Sequence, residues 1–178
     1  MFIKKYENYS LKDIRGYEKL KELVKKPLDK GVFLYGENGT GKTLFMNTFL
    51  REIFAEKRKK GITSFSTDLT NITELVSAYL KRDRTDEYQK LLNVTVLGID
   101  DVADVYLQGN SAELVSAALN YTLRQRFYIE KTTWLTTDIR LSEFKKKFGN
   151  RLYDFLAQAC YFVEVSGNSK RERQILKL

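Results

Sequence analysis

The chain has no histidine, one cysteine and one proline in 178 residues. Without histidine it lacks the commonest metal ligand and the commonest general base, so any acid–base chemistry falls to carboxylates. The single cysteine, Cys160, excludes an internal disulfide and suits a reducing compartment. Its surroundings, Ala159-Cys160-Tyr161-Phe162-Val163, assign it to the core. No apolar run is long enough to cross a bilayer, and Met1-Phe2-Ile3-Lys4-Lys5 lacks the apolar core of a signal peptide. A cytoplasmic protein with no membrane partner is expected. There is no internal repeat and no low-complexity linker. What is present is a hydrophobic content of 43% with 13% aromatics, which indicates a folded globular chain, and the length suits one domain. The net charge of +8 fits an anionic partner such as nucleic acid, and equally a lysine-rich surface that serves solubility.

The stretch that organises the chain is Gly36-Glu37-Asn38-Gly39-Thr40-Gly41-Lys42-Thr43, which matches the phosphate-binding pattern G-x-x-x-x-G-K-[ST] at every fixed position. Gly31 to Tyr35 before it reads as a buried strand, and Leu44 to Ala55 after it is apolar at helical spacing. The glycines let successive N–H groups point inward as an anion nest, and the helix dipole adds to it. Lys42 is expected to reach the β- and γ-phosphates, and the Thr43 hydroxyl to ligate Mg²⁺. The whole loop with Leu44 is therefore the expected ATP-binding element. The second informative stretch is Val94 to Asp101, an apolar strand ending in two carboxylates in the Walker B pattern. Asp100 is expected to hold the Mg²⁺ shell, and Asp101 to orient or deprotonate the attacking water.

Around these two stretches the chain alternates strands and helices. Ser10-Leu11-Lys12-Asp13 resembles a capping box and is expected to open a helix that runs to Lys25, before Pro27. The loop helix should end in Glu56-Lys57-Arg58-Lys59-Lys60-Gly61, a cationic turn stopped by glycine. Ile62 to Thr67 reads as the second strand, and Thr70–Leu80 and Asp86–Leu92 as helices split by Lys81-Arg82-Asp83-Arg84. Ser111–Phe127 reads as a helix, Lys131–Asp138 as a strand ending in small polar residues, Leu141–Phe148 and Arg151–Ala159 as helices, and Tyr161–Val165 as the last strand. A parallel sheet covered on both faces is expected.

These residues together resemble the AAA+ ATPase core. Gly31–Thr43, the Asp100-Asp101 pair, Arg126-Phe127, Trp134-Leu135-Thr136-Thr137-Asp138 and the segment from Phe162 to Arg171 resemble the DnaC/DnaI-type replicative helicase loaders. IstB-like transposition ATPases share much of the pattern. The resemblance implies a P-loop NTPase of the α/β class: a three-layer αβα core with a five-stranded parallel sheet and no C-terminal helical lid. It divides the chain into a short N-terminal helical extension, residues 1–30, and an ATPase domain, residues 31–178. It implies ATP hydrolysis, ATP-dependent homo-oligomers, and partnership with a replicative helicase or related DNA-processing ATPase and with single-stranded DNA. Arg151 stands where the family places an arginine that reaches a neighbour's nucleotide, and Arg171 where a tail residue senses it. Asp138 takes the sensor position in Thr136-Thr137-Asp138, where the family carries Thr-Ser-Asn, and Phe155 stands where a second arginine is usual. These departures leave room for an IstB-like ATPase or a weakly hydrolysing adaptor that competes with a loader.

Overall fold

A computed structural model describes residues 3–14, 17–23, 30–103 and 112–166. Strands β1 (Gly31–Tyr35), β2 (Thr67–Asn71), β3 (Val96–Asp100), β4 (Thr132–Thr137) and β5 (Cys160–Glu164) form one parallel sheet in the order β2-β3-β4-β1-β5. The phosphate-loop strand β1 thus lies between β4 and β5, and every strand delivers its carboxyl end to the same edge of the sheet. Side chains alternate faces along each strand. Val32, Leu34, Val96 and Trp134 pack beneath helix α2 (Lys42–Lys59), together with Tyr17 and Leu20 beside and within α1 (Glu18–Leu23). Phe33, Leu97, Ile99 and Leu135 face the opposite layer, built from α3 (Ile72–Leu80), α4 (Glu87–Asn93), α5 (Ala112–Tyr128), α6 (Leu141–Phe148) and α7 (Asn150–Ala159). The result is the expected three-layer αβα arrangement around a five-stranded sheet. Among the described residues no helix is long and apolar enough to cross a membrane.

Helix α2 sits close to the sheet because β3 carries a glycine beneath it. A Cβ on Gly98 would lie 2.7 Å from Leu50 Cδ1 and 2.9 Å from Leu69 Cδ1. Trp134 and Phe49 stack above the sheet at 4.2 Å between ring centroids. Cys160 is buried, as expected, and burial pushes its thiol up to about 12.

Three local expectations need correction. The second strand is Thr67–Asn71, not Ile62–Thr67. Its partner β3 begins at Val96, opposite Thr67, so residues 62–66 would overhang the sheet with no ladder to join. The entry is closed by the Val96 N–H, which donates to the Ser66 carbonyl at 3.1 Å, and by side chains: Thr95 N–H donates to Ser66 Oγ at 3.2 Å and Ser66 N–H to Thr95 Oγ1 at 3.1 Å. The next helix accordingly starts at Ile72 rather than Thr70, capped by Asn71 and Glu74 in a reciprocal capping box. Finally, Ser10–Asp13 closes a turn and does not open a helix; α1 begins at Glu18. Both the N–H and the hydroxyl of Ser10 donate to the Asp13 carboxylate, at 2.9 and 2.8 Å, so the hydroxyl does not serve as a helix-capping acceptor. These same bonds pull the Asp13 pKa down.

At the end of the sheet remote from the phosphate loop lies a buried cation. Arg126 of α5 has no exposed surface. It donates to the carbonyls of Leu91, Leu92, Val94 and Thr132 at 2.7, 2.8, 3.0 and 2.6 Å, and to Thr133 Oγ1 at 2.9 Å. Burial draws its pKa down to about 9. One side chain thereby ties the end of α4 to the starts of β3 and β4.

Candidate functional site

The carboxyl edge of the sheet carries a cleft of about 460 Å³. Its floor is the phosphate loop. β1 is almost entirely buried and ends at Tyr35, where the chain turns through Gly36 at φ 138°. A side chain there is excluded twice, by that φ and by the Val165 carbonyl, which a Cβ would approach to 2.2 Å. Gly39 and Gly41 also hold positive φ, and Gly41 caps α2 in the left-handed conformation. Asn38, Gly39, Gly41, Lys42, Thr43 and Leu44 line the cleft. Gly36, Glu37 and Thr40 form the back of the loop: the carbonyls of Gly36 and Glu37 each accept from Lys42 Nζ at 2.8 Å, and Thr40 Oγ1 donates to the Glu37 carbonyl at 3.0 Å. The ammonium of Lys42 is thus held against the curve of the loop.

The strand ends of β3 and β4 meet this floor. Thr43 Oγ1 donates to Asp100 Oδ1 at 2.9 Å, and Thr136 Oγ1 donates to the same oxygen. Burial raises the Asp100 pKa, while the Thr136 and Thr43 hydroxyls, the Lys42 charge and the Asp101 N–H favour its carboxylate. Asp101 adopts φ 53°, a left-handed conformation unusual outside glycine, and its N–H donates to Thr136 Oγ1 at 2.9 Å. That turn places Asp101 in the lining of the cleft, beside Asp100. Thr43 and Asp100 present oxygen donors side by side, the donor chemistry that suits Mg²⁺. The residues present therefore fit a Mg²⁺–nucleotide.

Thr136 is the residue that sequence reasoning passed over. It belongs to the polar strand end, yet the structure makes it the joint between both aspartates, whereas Asp138 lies further out, with Asn38 Nδ2 at 3.4 Å from its carboxylate. The N-terminal segment was passed over as well. Tyr6, Tyr9, Asp13 and Ile14 form one wall of the cleft, next to Leu44. Helix α2 holds this segment through its outward side chains. Asn47 Oδ1 accepts from Ile3 N–H at 2.8 Å and Glu52 Oε1 from Leu11 N–H at 2.8 Å. Arg51 donates to the carbonyls of Tyr6 (2.9 Å), Glu7 and Tyr9. Tyr17 stacks on Phe45 at 4.5 Å and its hydroxyl reaches the Thr40 carbonyl at 3.5 Å, so the same segment also touches the loop. Contacts of this kind lie more than twenty residues apart and leave no local signal.

Arg151 is exposed in the first turn of α7 and stands outside the cleft lining. Phe155, one turn on, is buried, edge-on to Phe127 at 5.5 Å and beneath the Arg124 guanidinium at 4.5 Å. Arg171 lies outside the described residues. The basic clusters at 56–60 and at 81–84 end α2 and α3, both of which run back from the carboxyl edge, so they come to the sheet end opposite the cleft.

Residues 18–157 match the family of the bacterial DnaA ATPase domain. No curated protein sequence matches. Among solved structures, a primosome component, described as putative, from Streptococcus pyogenes serotype M3 is 22% identical with a TM-score of 0.72, over 96% of this chain and 92% of that one. The DnaC helicase loader is 19% identical with a TM-score of 0.70, over 92% of this chain and all of the other, at 100%. The replication initiator DnaA bound to AMPPCP and single-stranded DNA is 20% identical with a TM-score of 0.67; the match covers 94% of this chain but only 52% of that one.

Proposed function

The chain belongs to the bacterial DnaA ATPase-domain family, and from that premise we propose that it binds and hydrolyses ATP as an AAA+ protein of DNA replication, acting in helicase loading. The observation that carries this reading is the bonded set Thr43–Asp100–Thr136–Asp101 at the foot of a complete phosphate loop. In this reading the loop amides and Lys42 bind the β- and γ-phosphates. Thr43 and Asp100 hold Mg²⁺, which neutralises phosphate charge. Asp101, turned into the cleft by its left-handed backbone, accepts the proton of the attacking water. Thr136 fixes the spacing of the two carboxylates, and Asp138 with Asn38 closes the outer rim. Arg151, exposed and away from its own cleft, serves a neighbouring copy. Arg171 is the tail residue assigned to nucleotide sensing.

Partners in this reading are a replicative helicase and single-stranded DNA. The excess of cations supports the latter by phosphate neutralisation. Helicase loading is supported by the likeness of fold to the DnaC loader. A weakly hydrolysing adaptor is the second reading. It is favoured by the buried Phe155, which fills the place of a second arginine with core.

Titration of the protein with MgATP tests the reading. Lys42→Ala should lower affinity about ten- to hundredfold, the worth of a lost charge-assisted contact, in a protein that still folds. Equal affinity in wild type and variant would remove it.

A further inference from the structure

The N-terminal wall of the cleft has no other described attachment as dense as the one to α2. Residues 3–11 contain a single turn of 3-10 helix, Lys4–Tyr6, and no strand. Their backbone is received by three side chains on one outward stripe of α2: Asn47, Arg51 and Glu52, at spacings of four and one. Asn47 takes the N–H of Ile3, Glu52 takes the N–H of Leu11, and Arg51 takes three carbonyls between them, of Tyr6, Glu7 and Tyr9. The pattern is a clamp on main-chain atoms at both ends and in the middle. What the clamp presents to the cleft is aromatic. Tyr6 and Tyr9 stand edge to face at 6.3 Å, both in the cleft lining, and Tyr9 is 45% exposed. None of Asn47, Arg51 or Glu52 lines the cleft itself.

We propose that Arg51 is a positioning residue for nucleotide binding: through the carbonyls of Tyr6, Glu7 and Tyr9 it fixes the Tyr6–Tyr9 wall that bounds the cleft away from the phosphates. This inference rests on the reading of the cleft as a nucleotide site and adds the source of its affinity for the nucleoside end. The physical reason is preorganisation. A short segment without regular structure loses little by swinging away, and an aromatic wall contributes to binding only while it is held. A guanidinium is suited to hold it, because one rigid fork satisfies several acceptors at once. Lysine in its place would satisfy these acceptors with a single point donor group and keep the charge.

The same helix starts at the phosphate loop and carries the clamp within its first three turns. Loop and wall therefore share one support, the helix α2.

Binding of MgATP and of magnesium tripolyphosphate to the 178-residue protein separates the two ends of the cleft. Arg51→Ala should weaken MgATP about tenfold and leave tripolyphosphate within about twofold, because the loop is untouched. Arg51→Lys should recover part of the loss. Hydrogen exchange at residues 3–11 should accelerate in Arg51→Ala. Tyr9→Ala, which removes the wall without touching the clamp, should reproduce the selective loss in a protein of unchanged stability. Wild-type affinity for MgATP in a folded Arg51→Ala protein would overturn the proposal while leaving the nucleotide site intact. So would an equal fall for both ligands, which would make Arg51 a support of the loop. A wild type that binds neither ligand would overturn the nucleotide reading and this inference with it.

Discussion

Asp100 and Asp101 are neighbours in sequence held in different settings, and the backbone makes the difference. Asp100 is still in β3, bonded to two hydroxyls and shielded enough for burial to raise its pKa. Asp101 leaves the strand at φ 53° and enters the cleft lining. Asp101→Asn keeps the shape and the left-handed turn, which asparagine tolerates. It should bind MgATP within about twofold of wild type and hydrolyse it about 10²–10⁴-fold more slowly, the usual worth of a general base. Phosphate release under saturating ATP is the measurement, and unchanged turnover would assign the base elsewhere. Both aspartates were legible as candidates because an apolar strand ending in acids follows a phosphate loop with one strand between them; alone that pattern is weak. Thr136 was not legible as their joint, since its role depends on β4 lying beside β3, which the sequence does not state.

Among the elements, those with a continuous apolar period were read to within one or two residues: β1, α2, β4, α6 and α7. The misread ones share a cause. β2 is an edge strand with the sequence Thr-Asp-Leu-Thr-Asn, in which only Leu69 and Thr70 are buried, so the more apolar run before it looked like the strand. The turn at Ser10–Asp13 has the letters of a helix cap, but the direction in which a hydroxyl donates is not written in the letters. Arg126 shows the same limit from the other side. It sits in α5 as an ordinary helix former, yet five acceptors from α4, its C-cap Val94 and β4 converge on it. Arg126→Met preserves the volume and strands those carbonyls without their donor. Destabilisation by about 3 kcal/mol or more is expected, read from urea unfolding, against a cost near zero if water replaced the guanidinium freely.

For the molecule as a whole, the exposed placement of Arg151 away from its own cleft suits the proposal that it serves a neighbouring copy. Its own cleft lies elsewhere, so Arg151→Ala should bind MgATP normally and lose at least about tenfold in hydrolysis if the side chain stabilises charge on a neighbour's nucleotide. Mixing Arg151→Ala with Lys42→Ala should return activity, since an intact arginine of one copy can then meet an intact loop of the other. Co-assembly without any return of activity would count against a shared site. The site's position at the carboxyl edge of a parallel sheet was legible from β–loop–α alternation alone. Its N-terminal wall was not, because it is placed by contacts with α2 that lie more than forty residues away in sequence. The convergence on Arg126 has a further consequence, in time rather than in space. Its acceptors lie 32 to 35 residues before it and 6 to 7 after it. The guanidinium can shed its water only once α4 and β4 have both closed on α5, so the contact belongs to the late, downhill side of the folding barrier. Loss of that contact should therefore quicken unfolding and leave the refolding rate nearly unchanged.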